Sequence, residues 1–144
     1  MSLLSEQIKS IIDKSYPLIT NLANSSAVLK DIKGVDWVGF YIVEGDHLYL
    51  GPFQGDAACS IINIGRGVCG ESFLNKVSIN VPDVSKLHNY IACSSKTKSE
   101  LVVPIMKNDE VVALIDLDSD ELSSFSESLQ KEIEEIANLL SELF

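Results

Sequence analysis

Basic residues are scarce in this chain: 11 lysines and arginines stand against 21 aspartates and glutamates, a formal net charge of −10. No basic stripe is available to neutralise phosphates, which argues against nucleic acid and against anionic membrane surfaces alike. Long apolar runs are also missing. A stretch such as Val111 to Ile115 is far too short to span a bilayer. The start, Met1-Ser2-Leu3-Leu4-Ser5-Glu6-Gln7, has neither the basic opening nor the apolar core of a signal peptide, so a cytoplasmic protein is expected. Histidine is reduced to His47 and His88, neither paired with a cysteine at metal-ligand spacing. The cysteines are spaced by ten and 24 residues, which matches no paired-ligand motif, so neither a metal nor another cofactor is expected.

Cysteine itself is sparse. Cys59 follows Gly55-Asp56-Ala57-Ala58, Cys69 lies inside Gly65-Arg66-Gly67-Val68-Cys69-Gly70, and Cys93 sits in Tyr90-Ile91-Ala92-Cys93-Ser94-Ser95. An odd number of thiols in a reducing compartment argues against a disulfide framework and leaves transient, catalytic disulfides open. What remains is an ordinary globular composition, 46% hydrophobic and 22% charged. At 144 residues, residues 1–144 are expected to form a single domain with a real core.

Leu4, Ile8, Ile11 and Ile12 recur at helical spacing and predict an opening amphipathic helix, with a second from Leu18 towards Lys30 after Pro17. Trp37 to Val43 and His47 to Phe53 read as paired strands around the Glu44-Gly45-Asp46 turn. A third strand over Ser60 to Ile64 leads to a Gly-rich turn, a short helix over Gly70 to Lys76, and an extended piece at Ile79 to Val81. The long loop from Pro82 to Lys98 is of a length usually reserved for function. Leu101 to Met106 and Val111 to Leu117 form a second strand pair, and a helix from about Ser126 closes the chain. Terminal helices around consecutive hairpins predict an α+β fold with a central antiparallel sheet.

On the last strand, Val112, Leu114, Asp116 and Asp118 are expected to share one face. Burying a carboxylate is costly, so two on one face suggest a pocket for an ammonium or another polar substrate group. Asp118 also fits a solvated strand end, and Glu100, ahead of Leu101-Val102-Val103-Pro104, reads alone as a solvated strand start. Trp37 and Tyr41 share a face with Gly39 between them; they suit either core packing or an aromatic wall that Gly39 leaves open to a small ligand. Sulfur sits well against such rings. Each cysteine taken singly also fits a small core hydrophobe. Cys69, where the Gly-rich turn feeds a helix, is expected to have a lowered pKa, and Cys93 has Lys96, Lys98 and His88 nearby in sequence. The Gly65-Arg66-Gly67 turn also fits an anion-binding turn, without being a P-loop.

Taken together, Trp37-Val38-Gly39-Phe40-Tyr41, Leu50-Gly51-Pro52-Phe53-Gln54-Gly55, Cys59, Gly65-Arg66-Gly67-Val68-Cys69-Gly70, Val81-Pro82-Asp83-Val84, Ile91-Ala92-Cys93, Ser99-Glu100-Leu101-Val102-Val103-Pro104 and Asp116-Leu117-Asp118-Ser119 closely resemble the free methionine-(R)-sulfoxide reductases, which are stand-alone GAF-domain enzymes. The resemblance implies a GAF-like fold and reduction of the free R sulfoxide, with thioredoxin as electron donor. It places Cys93 as the nucleophile and Cys59 and Cys69 as the cysteines that resolve the oxidised thiol through disulfides. Trp37, Tyr41, Glu100, Asp116 and Asp118 correspond to the substrate pocket. A homodimer through the terminal helices is expected. One departure is Ser94, where the family commonly has an acid directly after the nucleophile. The competing expectations are a non-catalytic GAF sensor of a small molecule and a thiol redox sensor without turnover.

Overall fold

The computed structural model describes all 144 residues. Its helices are α1 (Leu3–Ile11), α2 (Leu18–Lys30), α3 (Gly67–Asn75) and α4 (Glu127–Ser141). Its strands are β1 (Trp37–Glu44), β2 (His47–Gln54), β3 (Ile61–Asn63), β4 (Ile79–Val81), β5 (Ser99–Lys107) and β6 (Glu110–Ser119). Helix starts follow the expected capping chemistry: Ser2 Oγ accepts from the Ser5 N–H and Ser126 Oγ from the Leu129 N–H. The β5–β6 hairpin closes through Asn108 and Asp109, both at positive φ, residue types that tolerate this conformation.

The strands form one antiparallel sheet in the order β3-β2-β1-β6-β5-β4, so the two longest apolar segments, β5 and β6, end up interior to it. Strand alternation divides the apolar residues between two layers. Val38 and Phe40 of β1, Leu101, Val103 and Ile105 of β5, and Ile115 and Leu117 of β6 pack with Ile8 of α1, Leu22 and Leu29 of α2, and Ile133 and Leu140 of α4. On the opposite face, Trp37, Tyr41, Val102 and Leu114 pack with Val68 and Cys69 of α3. That second, smaller layer carries the site.

One expectation about the sheet is corrected here. Ile105 pairs with Ala113 but Met106 pairs with Val111, so Val112 is an extra residue in β6. The bulge turns Val112 towards the helical layer, and only Leu114, Asp116 and Asp118 share the site face. No helix of the molecule is long and apolar enough to cross a membrane.

Candidate active site

The acidic cluster follows from strand register. Glu100 of β5 lies opposite Asp118 of β6, and Asp118 lies opposite Trp37 of β1. In the next row on the same face, Val102 lies opposite Asp116, and Asp116 opposite Gly39. Two ladders therefore bring three carboxyl groups from two strands to one place, with the indole at its edge. Glu100 is 7% exposed and Asp116 5% exposed, so the solvated strand start expected at Glu100 is corrected: β5 begins one residue earlier, at Ser99, and α3 covers its face.

Burial pushes the pKa of all three acids up, and their mutual repulsion pushes Glu100 and Asp118 well above the ordinary carboxylate range. Asp116 rises by burial too, but hydrogen bonds from Glu100, Asp118 and Cys69 pull it back. Such bonds exist only where a neighbour holds a proton. With every carboxyl ionised, Asp116 Oδ1 and Asp118 Oδ1 are buried without a partner. Asp116 is the least raised of the three, so it is the member that most readily carries the negative charge while Glu100 and Asp118 favour their protonated forms.

Cys69 belongs to this cluster. Helix α3 starts at Gly67 rather than near Gly70, which puts Cys69 in its first turn, facing inward and 3% exposed. Gly70 makes that approach feasible, since a Cβ there would stand 2.8 Å from the Asn63 carbonyl oxygen. The lowered pKa expected at Cys69 is corrected: burial, then the charges of Asp116, Glu100 and Asp118, drive the thiol well up. Donor atoms of Cys69, Glu100 and Asp116 lie within 4.8 Å of one another, a geometry that could hold a divalent ion once the protons had left. The three residues come from three elements, so sequence spacing gives no signal of this group.

The other two cysteines form a disulfide, Cys59–Cys93, with Cα atoms 5.4 Å apart. Cys69 is the free thiol. Cys59 is held in place by the aromatic wall: Trp37 Nε1 donates to the Asp56 carbonyl oxygen at 2.8 Å and Tyr41 Oη to the Cys59 carbonyl oxygen at 2.9 Å. The gap expected over Gly39 is filled. A Cβ at Gly39 would lie 2.5 Å from Trp37 Cη2 and 2.6 Å from Phe53 Cβ, so the glycine seats the indole rather than a ligand. Trp37 stacks between Tyr41 and Phe53, at ring-centroid distances of 6.4 and 5.6 Å.

Trp37, Tyr41, Cys69, Glu100, Asp116 and Asp118 line one cavity together with Cys93, whereas Cys59 does not reach it. Every expected site residue but Cys59 is thus gathered around one space. Arg66, Tyr90, Ile91 and Ser94 are among the other lining residues. None of these four was singled out for the substrate pocket beforehand, although the Gly65-Arg66-Gly67 turn and the long loop had marked where they lie. Lys96, expected to favour a Cys93 thiolate, instead pairs with Asp56 at 3.7 Å on the surface. With the disulfide closed, the cavity measures about 30 Å³, enough for a water or two but not for an amino acid.

Residues 17–143 match the GAF domain family. The chain is 44% identical over 138 residues to GAF domain-containing protein A of Dictyostelium discoideum, covering 95% of this chain and 87% of that one. It is 38% identical over 142 residues to the free methionine-R-sulfoxide reductase of Saccharomyces cerevisiae, covering 92% and 79%. The free methionine-R-sulfoxide reductase of Neisseria meningitidis, solved in complex with its substrate, superposes with a TM-score of 0.93 at 39% identity, covering 98% of this chain and 86% of that one. The chain is a GAF-domain protein and belongs to the free methionine-R-sulfoxide reductases.

Proposed function

We propose that this protein reduces free L-methionine (R)-sulfoxide to methionine with its own thiols, and is recycled by a dithiol reductant of the thioredoxin type. The observation that carries this is the shared cavity: a redox-active cysteine, an aromatic wall and a buried acid cluster all face one small space. The R epimer is taken from the family.

Cys93 is the nucleophile. It lines the cavity and Cys59 does not, while Cys69 also lines it but is held protonated by burial and by acids. The substrate ammonium pairs with Asp116, and Glu100 and Asp118, released from Asp116, turn their protons to the sulfoxide oxygen. The Cys93 sulfur attacks the sulfoxide sulfur and takes over the oxygen with a proton. Methionine leaves, reduced by two electrons, and Cys93 becomes a sulfenic acid. The Cys59 thiol then attacks that sulfenic acid, water departs, and the Cys59–Cys93 disulfide forms. Thiol–disulfide exchange with an external dithiol restores both thiols.

This assignment departs from the family expectation for Cys69. Cys59 resolves the oxidised thiol, and Cys69 serves the cluster by donating its S–H to Asp116. The closed cavity of the disulfide form is consistent with an oxidised enzyme that takes no second substrate until it is reduced. Such a cycle suits a reducing compartment, hence a cytoplasmic location. Exposed Leu3 of α1 and Ile19 of α2 support a homodimer through the terminal helices, which light scattering would test.

The test of function is methionine release from both epimers of free methionine sulfoxide, with thioredoxin or dithiothreitol as reductant and the N-acetylated sulfoxide alongside. Turnover of the free R form alone supports the reaction and ammonium recognition together. A protein with intact thiols that releases no methionine from any of them is a sensor, and the proposal fails.

A further inference from the structure

Arg66 is the only arginine in the chain. It lines the same cavity as Glu100, Asp116 and Asp118, yet forms no ion pair with them or with any other carboxylate of the protein. Arg66 is exposed, so its guanidinium is solvated at the cavity lining and open to an incoming ligand. Asp116 supplies the complementary observation. It lines the cavity at 5% exposure, and its buried Oδ1 finds no backbone or cationic donor in the protein. The cavity thus has an acidic side that calls for a cationic ligand group and one cationic side chain set apart from it.

We propose that Arg66 recognises the α-carboxylate of the substrate and so sets the specificity for a free amino acid. The proposal rests on the methionine sulfoxide reading above. Asp116 takes the ammonium, Arg66 takes the carboxylate, and the sulfoxide reaches Cys93 between them. The local backbone supports this placement. Arg66 is the N-cap of α3 but has only donors, so no side chain caps the helix. The first N–H groups of α3, on Gly67, Val68 and Cys69, have no acceptor within the helix, and all three residues line the cavity. A carboxylate held by Arg66 would lie at this terminus, where anions are favoured. Loss of the ammonium on acylation excludes one class of peptide; Arg66 would exclude the other, in which the carboxyl is amidated.

The test measures kcat and KM for free L-methionine (R)-sulfoxide and for its carboxamide, which keeps the ammonium and loses the carboxylate. Wild type, Arg66→Gln and Arg66→Lys are compared. Wild type is expected to favour the free acid by about 30-fold in kcat/KM, equivalent to ~2 kcal/mol for one charge-assisted contact. Arg66→Gln loses most of that preference through a raised KM for the free acid, and its unchanged thermal unfolding midpoint shows that the variant is folded. Arg66→Lys keeps part of it. A Gln variant that retains the full preference overturns the role of Arg66. A wild type that reduces neither compound overturns the reductase reading itself, and this proposal with it.

Discussion

Glu100 and Asp118 face each other directly across the β5–β6 ladder, with Asp116 one row away on the same face. Ladder geometry holds these side chains within a few ångströms, and ionising both would set like charges side by side, so the pair is held towards its protonated form at a cost in stability. The sheet therefore maintains an arrangement that opposes its own stability, as binding and catalytic sites commonly do.

Asp118→Asn is accordingly expected to stabilise the protein at neutral pH, by roughly 1–2 kcal/mol, while lowering sulfoxide turnover. The folded pKa of Asp118 is raised. Its favourable contribution is therefore complete below the unfolded carboxylate value, about 4, and is lost as pH rises through the folded value. The gain from Asn should appear at pH 7 and vanish below about pH 4. Denaturant midpoints at the two pH values measure it. A gain that persists undiminished in acid would contradict the proton assignment.

Gly39→Ala should destabilise by about 1–3 kcal/mol. The added methyl meets the Trp37 ring at 2.5 Å and Phe53 Cβ at 2.6 Å, and the indole cannot retreat while Nε1 is bonded to Asp56. Thermal unfolding reads the loss, and tryptophan fluorescence reports the displaced ring.

Trp37→Phe removes the donor that ties the Cys59 segment to the sheet. It should cost about 1 kcal/mol of stability and slow disulfide closure after the oxygen transfer. Trapping of the sulfenic acid by a diketone reagent should then increase relative to wild type. Equal trapping would show that the Cys59 segment needs no such tether.

The cysteines separate by role. Cys93→Ser should lower turnover roughly a thousand-fold or more. Cys59→Ser should release methionine but accumulate the sulfenic acid until dithiothreitol is added. Cys69→Ser should retain the Cys59–Cys93 disulfide, with the pH dependence of turnover shifted because Asp116 loses a hydrogen-bond donor.

Much of this was legible in the sequence because it depends on local pattern. Turn residues and alternation located the hairpins, and the boundaries of α2 and β4 coincide with those expected. The placement of Asp116 and Asp118 needed only strand parity. The departures all depend on tertiary partners. Glu100 reads as a solvated strand start until β6 lies beside it and α3 above it. Cys69 reads as a helix-terminus thiol until the acids below it are known. Gly39 reads as open space because nothing in the sequence shows that the side chain of Trp37 folds back over it. The Val112 bulge leaves no mark in an apolar run, where either parity fits. The pairing of Cys59 with Cys93 was equally hidden, since 34 residues separate them and the segments between fix their approach.

The central claim, that Cys93 takes the oxygen and Cys59 resolves it in the acid-lined cavity, is tested most directly by a single turnover. Fully reduced protein receives excess free methionine (R)-sulfoxide with no reductant; released methionine is counted and the disulfide is mapped by peptide mass spectrometry. The account predicts about one methionine per chain, the stoichiometry of a single disulfide, a Cys59–Cys93 linkage, and Cys69 recovered as a free thiol. A first disulfide that contains Cys69, or disulfide formation without methionine release, would contradict it.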